Sequence, residues 1–146
     1  MWKMISKLIL ILVVLVAIVA LCVGCATFFG KKASRYDNVA APYKNMGVDD
    51  FQTYVASDQV QLLDVRSQDE FDEGHIAGAV LVDVNDSTFV DNALAVLDKQ
   101  RPVAVYCRSG RRSARAASLL AAQGFTVTNL DGGVLAWQDA GKALVK

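Results

Sequence analysis

The 146-residue sequence has few of the side chains that usually hold metals or form disulfides. It contains three cysteines and a single histidine, His75. Because Cys22 and Cys25 lie in an apolar N-terminal run, Cys107 is the only cysteine of the remaining chain. A disulfide within that part is therefore excluded, and no zinc-type pattern of cysteines and histidines is present. We expect no metal and no cofactor.

An excess of positive charge is also missing. Lysine plus arginine and aspartate plus glutamate both number 15, so the formal net charge is 0. From Ala33 onward the chain has 11 basic and 15 acidic residues, a difference of −4. This balance argues against a nucleic-acid partner. Between Asp98 and Asp131, however, no acidic residue occurs, and basic charge is concentrated there.

That acid-free stretch has the pattern of a strand, a loop and a helix. Val103–Tyr106 is an apolar run of buried-strand length, and an Ala- and Leu-rich helical pattern follows it and ends before Gly124. This order directs the N–H groups of the loop and the positive end of the helix at one point. Gly110 lies in the loop, where it can turn the backbone with positive φ.

Cys107 stands at that point, with four arginines among the nine residues that begin with it: Arg108, Arg111, Arg112 and Arg115. Guanidinium groups and a helix N-terminus lower the pKa of a cysteine thiol from its ordinary value of about 8.5. The thiolate is the nucleophilic form, and the same positive field attracts an anion. The pattern therefore favours a thiolate nucleophile in an anion-binding loop over a buried structural cysteine.

The rest of the domain alternates helices and strands. We expect strands over residues 60–65, 79–84 and 126–130, and helices over residues 48–55, 67–74, 89–97 and 135–140. Ser67 and Glu70 have the spacing of a capping box at the start of one of these helices. The alternation with short connections predicts an α/β fold with a mostly parallel sheet covered on both faces.

The N-terminal run predicts attachment to a membrane. Leu8–Phe29 is an apolar stretch of 22 residues, which as a helix would be about 33 Å long and could cross a bilayer. Leu21–Cys25 is also similar to the lipobox of bacterial lipoproteins, in which Cys25 would carry the lipid. Cys22 departs from that pattern, because leucine is favoured at its position. We weigh an uncleaved anchor slightly above a lipoprotein signal.

These features divide the chain into three segments. Residues 1–29 form the anchor or lipoprotein signal, residues 30–42 a polar linker, and residues 43–146 the folded domain. The N-terminal flank is very short and carries Lys3 and Lys7. This favours a cytoplasmic N-terminus. We therefore expect a cell-membrane protein whose domain lies on the exported, periplasmic or extracytoplasmic side.

Four motifs occur in order along the domain: Leu62-Leu-Asp-Val-Arg66, Glu70-Phe-x-x-Gly-His-Ile-x-Gly-Ala79, Val105-Tyr-Cys-Arg-Ser-Gly-Arg-Arg-Ser113 and Leu130-Asp-Gly-Gly-x-x-Ala-Trp137. Together they resemble the single-domain rhodanese family of thiosulfate sulfurtransferases and their relatives. The resemblance runs from about Tyr43 to the C-terminus. It implies a rhodanese-like α/β fold, a five-stranded parallel sheet flanked by helices on both faces, here preceded by an N-terminal hydrophobic helix.

The resemblance also implies a sulfurtransferase. Cys107 would take a sulfane sulfur from thiosulfate or a similar small anionic donor and become a persulfide. It would then pass the sulfur to cyanide, a thiol or a thioredoxin-like acceptor. The residues that would bind the donor form the loop: Arg108, Ser109, Gly110, Arg111, Arg112 and Ser113. Four residues match motif positions away from the loop and are expected to support the structure: Asp64, Arg66, Glu70 and His75.

Two other functions remain open. A phosphatase with the Cys-x5-Arg pattern would need arginine at position 113, where the sequence has Ser113. Because the arginine falls at 112, the loop is similar to the shorter one used for sulfur transfer. The second alternative is a non-catalytic, membrane-tethered rhodanese module that serves as a binding domain. His75 as a general base is the less favoured role, since it matches a position that orders a turn.

Overall fold

The structure is a computed structural model that describes residues 42–146. The predicted anchor and nearly all of the predicted linker lie outside the described residues. Within residues 42–146, no helix is both long and apolar enough to cross a membrane. The elements, in chain order, are β1 (Lys44–Met46), α1 (Val48–Val55), β2 (Gln61–Asp64), α2 (Gln68–Glu73), β3 (Val80–Leu81), α3 (Phe89–Val96), β4 (Val103–Tyr106), α4 (Arg111–Ala122), β5 (Val127–Leu130) and α5 (Gly133–Asp139).

The strands form one five-stranded sheet in the order β1-β5-β4-β2-β3. Every neighbouring pair is parallel. Strand β4 lies at the centre, where Val105 is opposite Leu63 of β2 and Asn129 of β5. The predicted five-stranded parallel sheet is thus confirmed.

Side chains of β4 alternate between the two faces of the sheet, as its pleat requires. Val103, Val105 and Cys107 pack with residues of α3 and α4. Ala104 and Tyr106 pack on the other face with residues of α1 and α5. Both faces are therefore covered by helices, which is why β4 is apolar throughout.

The sequence pattern failed at three places. It did not predict β1, because Lys44 and Asn45 are exposed and this edge strand has no apolar repeat. Strand β3 is shorter than the predicted 79–84, since only Val80 and Leu81 pair with β2. Helix α5 begins at Gly133, two residues before the predicted start.

The start of α2 agrees with its predicted cap. Ser67 Oγ accepts the N–H of Glu70, and the Glu70 carboxylate accepts the N–H of Ser67 at 3.3 Å. The helix ends at Gly74, as expected. This short helix follows β2, so it lies at the edge of the sheet where parallel strands end, which is also the edge where β4 leads into Cys107.

Candidate active site

Cys107 is the first residue after the central strand and is fully buried. The alternation along β4 directs its side chain to the face that α4 covers. Residues 108–113 follow Cys107 and are called the active loop below; the first three are irregular and the last three form the first turn of α4, whose N-cap is Gly110.

Ser113 is the side chain that contacts the thiol. Its Oγ atom lies 3.3 Å from Cys107 Sγ and 3.1 Å from the carbonyl oxygen of Gly110. Burial raises the pKa of the Cys107 thiol, but hydrogen bonds from the Ser113 hydroxyl and from the backbone N–H groups of Ser113, Ser109 and Gly110 outweigh it. The net result is a lowered pKa, which favours the thiolate.

The start of α5 holds the backbone of Cys107 and Arg108 in place. Val134 N donates to the carbonyl oxygen of Cys107 at 2.8 Å, and Leu135 N donates to that of Arg108 at 3.1 Å. A Cβ atom on Gly133 would lie only 2.5 Å from the Cys107 carbonyl oxygen, so the close approach requires glycine. The Asp131-Gly-Gly segment thus turns against the active loop.

Gly110 has the predicted positive φ, +87°. A Cβ atom at this position would also lie 3.2 Å from Gly132 N. The two glycine-containing turns therefore pack backbone to backbone, and this contact fixes the start of α4 relative to Cys107.

Arg112 forms an ion pair with Glu70 of α2. Its Nη1 donates to Glu70 Oε2 at 2.8 Å, and its Nη2 donates to Glu70 Oε1 at 2.7 Å. Glu70, whose motif lies away from the loop in the sequence, is thus in direct contact with Arg112 in the structure. The Arg112 hydrogen bonds hold the pKa of the Glu70 carboxyl at about 2, although burial alone would raise it.

The other loop residues face solvent. Arg108, Ser109, Arg111 and Arg115 are exposed, whereas Ser113 is fully buried beside the thiol. The structure thus brings Cys107, Ser109, Gly110 and Ser113 together at the sulfur and leaves two loop arginines on the outer surface. These exposed guanidinium groups are placed to meet an anion that approaches from solvent.

Asp64 and Arg66 form a buried ion pair near the end of β2. Arg66 Nη2 lies 2.6 Å from Asp64 Oδ2 and also donates to the carbonyl oxygen of Gly74 at 2.8 Å. Burial lowers the pKa of Arg66, but Asp64 outweighs this and the net shift is upward. The pair therefore joins the end of β2 to the end of α2, and it supports the site without contacting Cys107.

Tyr106 lies directly before Cys107 and makes buried contacts that the sequence did not indicate. Its hydroxyl oxygen accepts the N–H of Ile76 at 3.0 Å, and the Arg66 guanidinium lies 5.7 Å from its ring centre. Burial raises the pKa of Tyr106, so the hydroxyl stays neutral. Only its place in an apolar run could have signalled that it is buried, since its partner lies 30 residues away.

His75 packs against the end of α2 and pairs with the C-terminal residues. Its ring stacks on Phe71 with centres 3.7 Å apart, and its Nδ1 lies 3.1 Å from the Phe71 carbonyl oxygen. Its backbone exchanges two hydrogen bonds of 2.9 Å with Val145. None of the hydrogen bonds among residues 42–146 joins His75 to the loop. Trp137 is also a core residue, because it is buried and its Nε1 donates to Ala143 O.

The family model of the rhodanese-like domain matches residues 47–140. The chain belongs to the rhodanese-like family. The matched residues include β2, the active loop and the Gly132-Gly133 turn, so the family assignment and the geometry concern the same part of the molecule. Among residues 42–146, no group of three or more His, Cys, Asp or Glu side chains is arranged to hold a metal ion.

Relatives of the rhodanese-like domain include named sulfurtransferases. The thiosulfate sulfurtransferase GlpE of Shewanella oneidensis is 37% identical over 100 residues, which are 67% of this chain and 95% of that protein. The putative sulfurtransferase YtwF of Bacillus subtilis is 36% identical over 83 residues, 57% of this chain and 78% of that protein. A rhodanese-like domain protein from Staphylococcus aureus has a similar solved structure, with a TM-score of 0.60 and 32% identity over 70% of this chain and 99% of that one. These relatives support sulfurtransferase activity in general.

Proposed function

We propose that the protein is a sulfurtransferase that carries a sulfane sulfur on Cys107 as a persulfide. The observation that carries the proposal is the set of hydrogen-bond donors around Cys107 Sγ. Ser113 Oγ lies 3.3 Å away, and with three loop N–H groups it lowers the pKa of the thiol. A buried cysteine with a lowered pKa in a covered, electropositive loop is the arrangement of a reactive thiolate.

In the proposed first step, the Cys107 thiolate attacks the outer sulfur of thiosulfate. A sulfur–sulfur bond forms on the enzyme while the donor's sulfur–sulfur bond breaks, and sulfite leaves with the electron pair. The loop N–H groups stabilise the negative charge on the resulting persulfide, as they stabilise the thiolate. Thiosulfate is proposed because a relative is named for it and because the exposed Arg108 and Arg111 suit an anion.

In the second step, a nucleophilic acceptor attacks the terminal sulfur of the persulfide. A cyanide ion becomes thiocyanate, or an acceptor thiolate becomes a persulfide, and the electron pair returns to the Cys107 thiolate. This exchange resembles thiol–disulfide exchange, in which the better leaving thiolate departs faster. The lowered pKa of Cys107 therefore helps the release as well as the attack.

The decisive experiment offers the purified full chain thiosulfate and cyanide and measures sulfite and thiocyanate, with mass spectrometry of the Cys107 peptide. We expect the peptide to gain one sulfur atom and Cys107→Ser to produce neither product while it stays folded. Turnover by that variant would refute the role of Cys107. If the native chain takes up no sulfur from thiosulfate or other sulfane donors, it is a binding module instead.

An aryl phosphate offered in parallel distinguishes the third possibility. The loop has Arg112 where a phosphatase of the Cys-x5-Arg kind would have its fifth intervening residue, and Ser113 where that enzyme has arginine. We expect negligible phosphate release. Efficient hydrolysis of the aryl phosphate would replace sulfur transfer with phosphoryl chemistry.

A further inference from the structure

Glu70 contacts the active loop through a two-point ion pair with Arg112. The two hydrogen bonds are 2.7 and 2.8 Å long and use both carboxylate oxygens. The side chains are 24% and 28% exposed, so the pair is partly shielded from water. A bidentate pair of this kind fixes the guanidinium plane and not only its distance.

The carboxylate is also held from its other side. Glu70 Oε2 accepts hydrogen bonds from Ser67 N at 3.3 Å and Ser67 Oγ at 3.2 Å. Glu70 therefore links the start of α2 to the first turn of α4, and its carboxylate is held by Ser67 as well as by Arg112. Arg112 directly precedes Ser113, whose hydroxyl and N–H act on Cys107.

The pair changes the electrostatics at Cys107. The pKa of Arg112 is raised chiefly by Glu70, and the charges of Cys107 and Asp83 add to this effect. Arg112 is thus close enough to interact with the thiolate. Its positive charge is offset by a carboxylate in direct contact, so the pair contributes little net charge to the site.

We propose that Glu70 is a positioning residue of the sulfur-transfer site, which fixes Arg112 at the start of α4 and cancels its charge. Arg112 then organises the loop, and the loop N–H groups with the exposed Arg108 and Arg111 receive the anion. The inference rests on the proposed function only in taking Cys107 as the nucleophile. It assigns a specific task in the site to a residue whose motif lies away from the loop in the sequence.

The test compares two alkylating reagents of similar size, anionic iodoacetate and neutral iodoacetamide, on the full chain. Both react with the thiolate, so the ratio of their rates cancels the thiolate fraction and the access through the loop. What remains is the electrostatic potential that an anion meets at Sγ. The reaction is followed by mass spectrometry of the peptide that contains Cys107, which separates it from Cys22 and Cys25.

We expect Glu70→Gln to raise the iodoacetate-to-iodoacetamide ratio by about threefold to tenfold at low salt, because Arg112 loses its counter-charge. Arg112→Gln should lower the ratio below that of the native chain, since Glu70 is then uncompensated. The double variant Glu70→Gln/Arg112→Gln should return close to the native ratio, because the native pair and its replacement are both neutral.

Glu73→Gln is the matched control, since it removes an exposed carboxylate from the same short helix. Its ratio should stay within about 1.5-fold of the native value, because a solvated charge is screened. Glu70→Asp keeps the charge and should lie closer to the native ratio than Glu70→Gln. Circular dichroism establishes that each variant is folded before its rates are compared.

An unchanged or lowered ratio in folded Glu70→Gln would overturn the proposal, as would equal effects of Glu70→Gln and Glu73→Gln. If Glu70→Gln fails to fold, Arg112→Gln and the double variant decide the matter, because a ratio that does not recover in the double variant contradicts charge cancellation. None of these readings uses sulfur transfer. The alkylation ratios can therefore be interpreted even if the protein transfers no sulfur. Ratios that contradict the role of Glu70 do not, in turn, contradict sulfur transfer.

Discussion

Ser113 Oγ lies 3.3 Å from Cys107 Sγ and 3.1 Å from the carbonyl oxygen of Gly110, so one hydroxyl serves two acceptors. A serine hydroxyl carries a single hydrogen. It can donate to Gly110 while Cys107 is a thiol, and to Sγ once the thiol has ionised. The side chain thus favours the thiolate without any charge of its own.

Ser113→Ala should raise the pKa of Cys107 by about one unit, since a hydrogen bond to a charged group is lost. Alkylation by iodoacetamide increases with pH and levels off above the thiol pKa, so the midpoint of its pH profile should move upward. At neutral pH the thiolate fraction, and with it kcat/KM for thiosulfate, should fall. Ser118→Ala is the matched control: it removes a serine hydroxyl from the same helix, five residues further along, and should leave the midpoint unchanged. A midpoint that does not move would mean that the backbone N–H groups alone set the pKa.

The ion pair of Glu70 and Arg112 should make stability depend on pH. The pKa of Glu70 is about 2 instead of 4.5, chiefly because Arg112 donates to its carboxylate. A carboxyl whose pKa is lower in the folded state contributes stability that is complete above the unfolded-state pKa. This contribution is lost as the pH falls through the folded-state value.

Glu70→Gln should therefore lower the free energy of unfolding at neutral pH, and the difference from the native chain should shrink between pH 4.5 and about pH 2. Urea unfolding at a series of pH values measures it. Glu73→Gln, on the same helix but exposed, should have a smaller effect at neutral pH. If this difference in the free energy of unfolding stays constant down to pH 2, Glu70→Gln destabilises the protein through altered packing and not through the lost charge.

Local patterns made the centre of the site predictable. The bounds of β4 agree with the predicted Val103–Tyr106. This short apolar run lies between Pro102 and the loop that contains Gly110, and a buried strand is the structure that such a run favours. The capping box of Ser67 and Glu70 is equally local, since its partners lie three residues apart. In both cases the residues that decide the structure are neighbours in sequence.

What the sequence did not show depends on distant partners. Glu70 and Arg112 are 42 residues apart, and Glu70 already has a complete local explanation in the capping box. Strand β1 is a strand only because Asn45 pairs with Asn129 of β5, which lies 84 residues away. Without that pairing, its exposed polar residues are indistinguishable from a linker.

Gly133 should tolerate no side chain, whereas Gly141 should tolerate a small one. Both have positive φ, +61° and +73°, so alanine brings a similar backbone strain of about 1 kcal/mol to each. At Gly133 the added Cβ would also lie 2.5 Å from Cys107 O and 2.7 Å from Arg108 O, whereas at Gly141 nothing lies within 4 Å.

We therefore expect Gly133→Ala to reduce the free energy of unfolding by about 2–4 kcal/mol and to displace the active loop, so that thiosulfate turnover falls in the molecules that remain folded. Gly141→Ala serves as the matched control and should lose about 1 kcal/mol with little change in turnover. Urea unfolding and steady-state rates at one temperature measure both. Equal losses in the two variants would mean that backbone strain, and not contact with the loop, makes Gly133 necessary.

The apolar N-terminal run leads to a prediction about location, which concerns residues outside those the structure describes. We propose that residues 1–29 attach the protein to the cell membrane and place the domain on its exported side. The full chain should then sediment with membranes, while a variant without residues 1–32 should stay in the supernatant and keep its sulfurtransferase activity. The family match begins at residue 47, so the deletion spares it entirely. An inactive or aggregated truncated chain would show that the domain boundary lies earlier.

Cys25→Ala separates the two ways of attachment. A lipoprotein would lose both its lipid and its processing, so the variant would keep its full N-terminus and its mass would lack the lipid. A spanning helix would be indifferent, because alanine is as compatible with the bilayer core as cysteine and the 22-residue run of Leu8–Phe29 stays long enough to cross it. Intact-protein mass spectrometry of the native chain and the variant measures the difference. A native mass that begins at Cys25 and exceeds the polypeptide mass by a lipid would exclude the spanning helix. A native mass that begins at Met1, unchanged in the variant apart from the substitution, would exclude the lipoprotein.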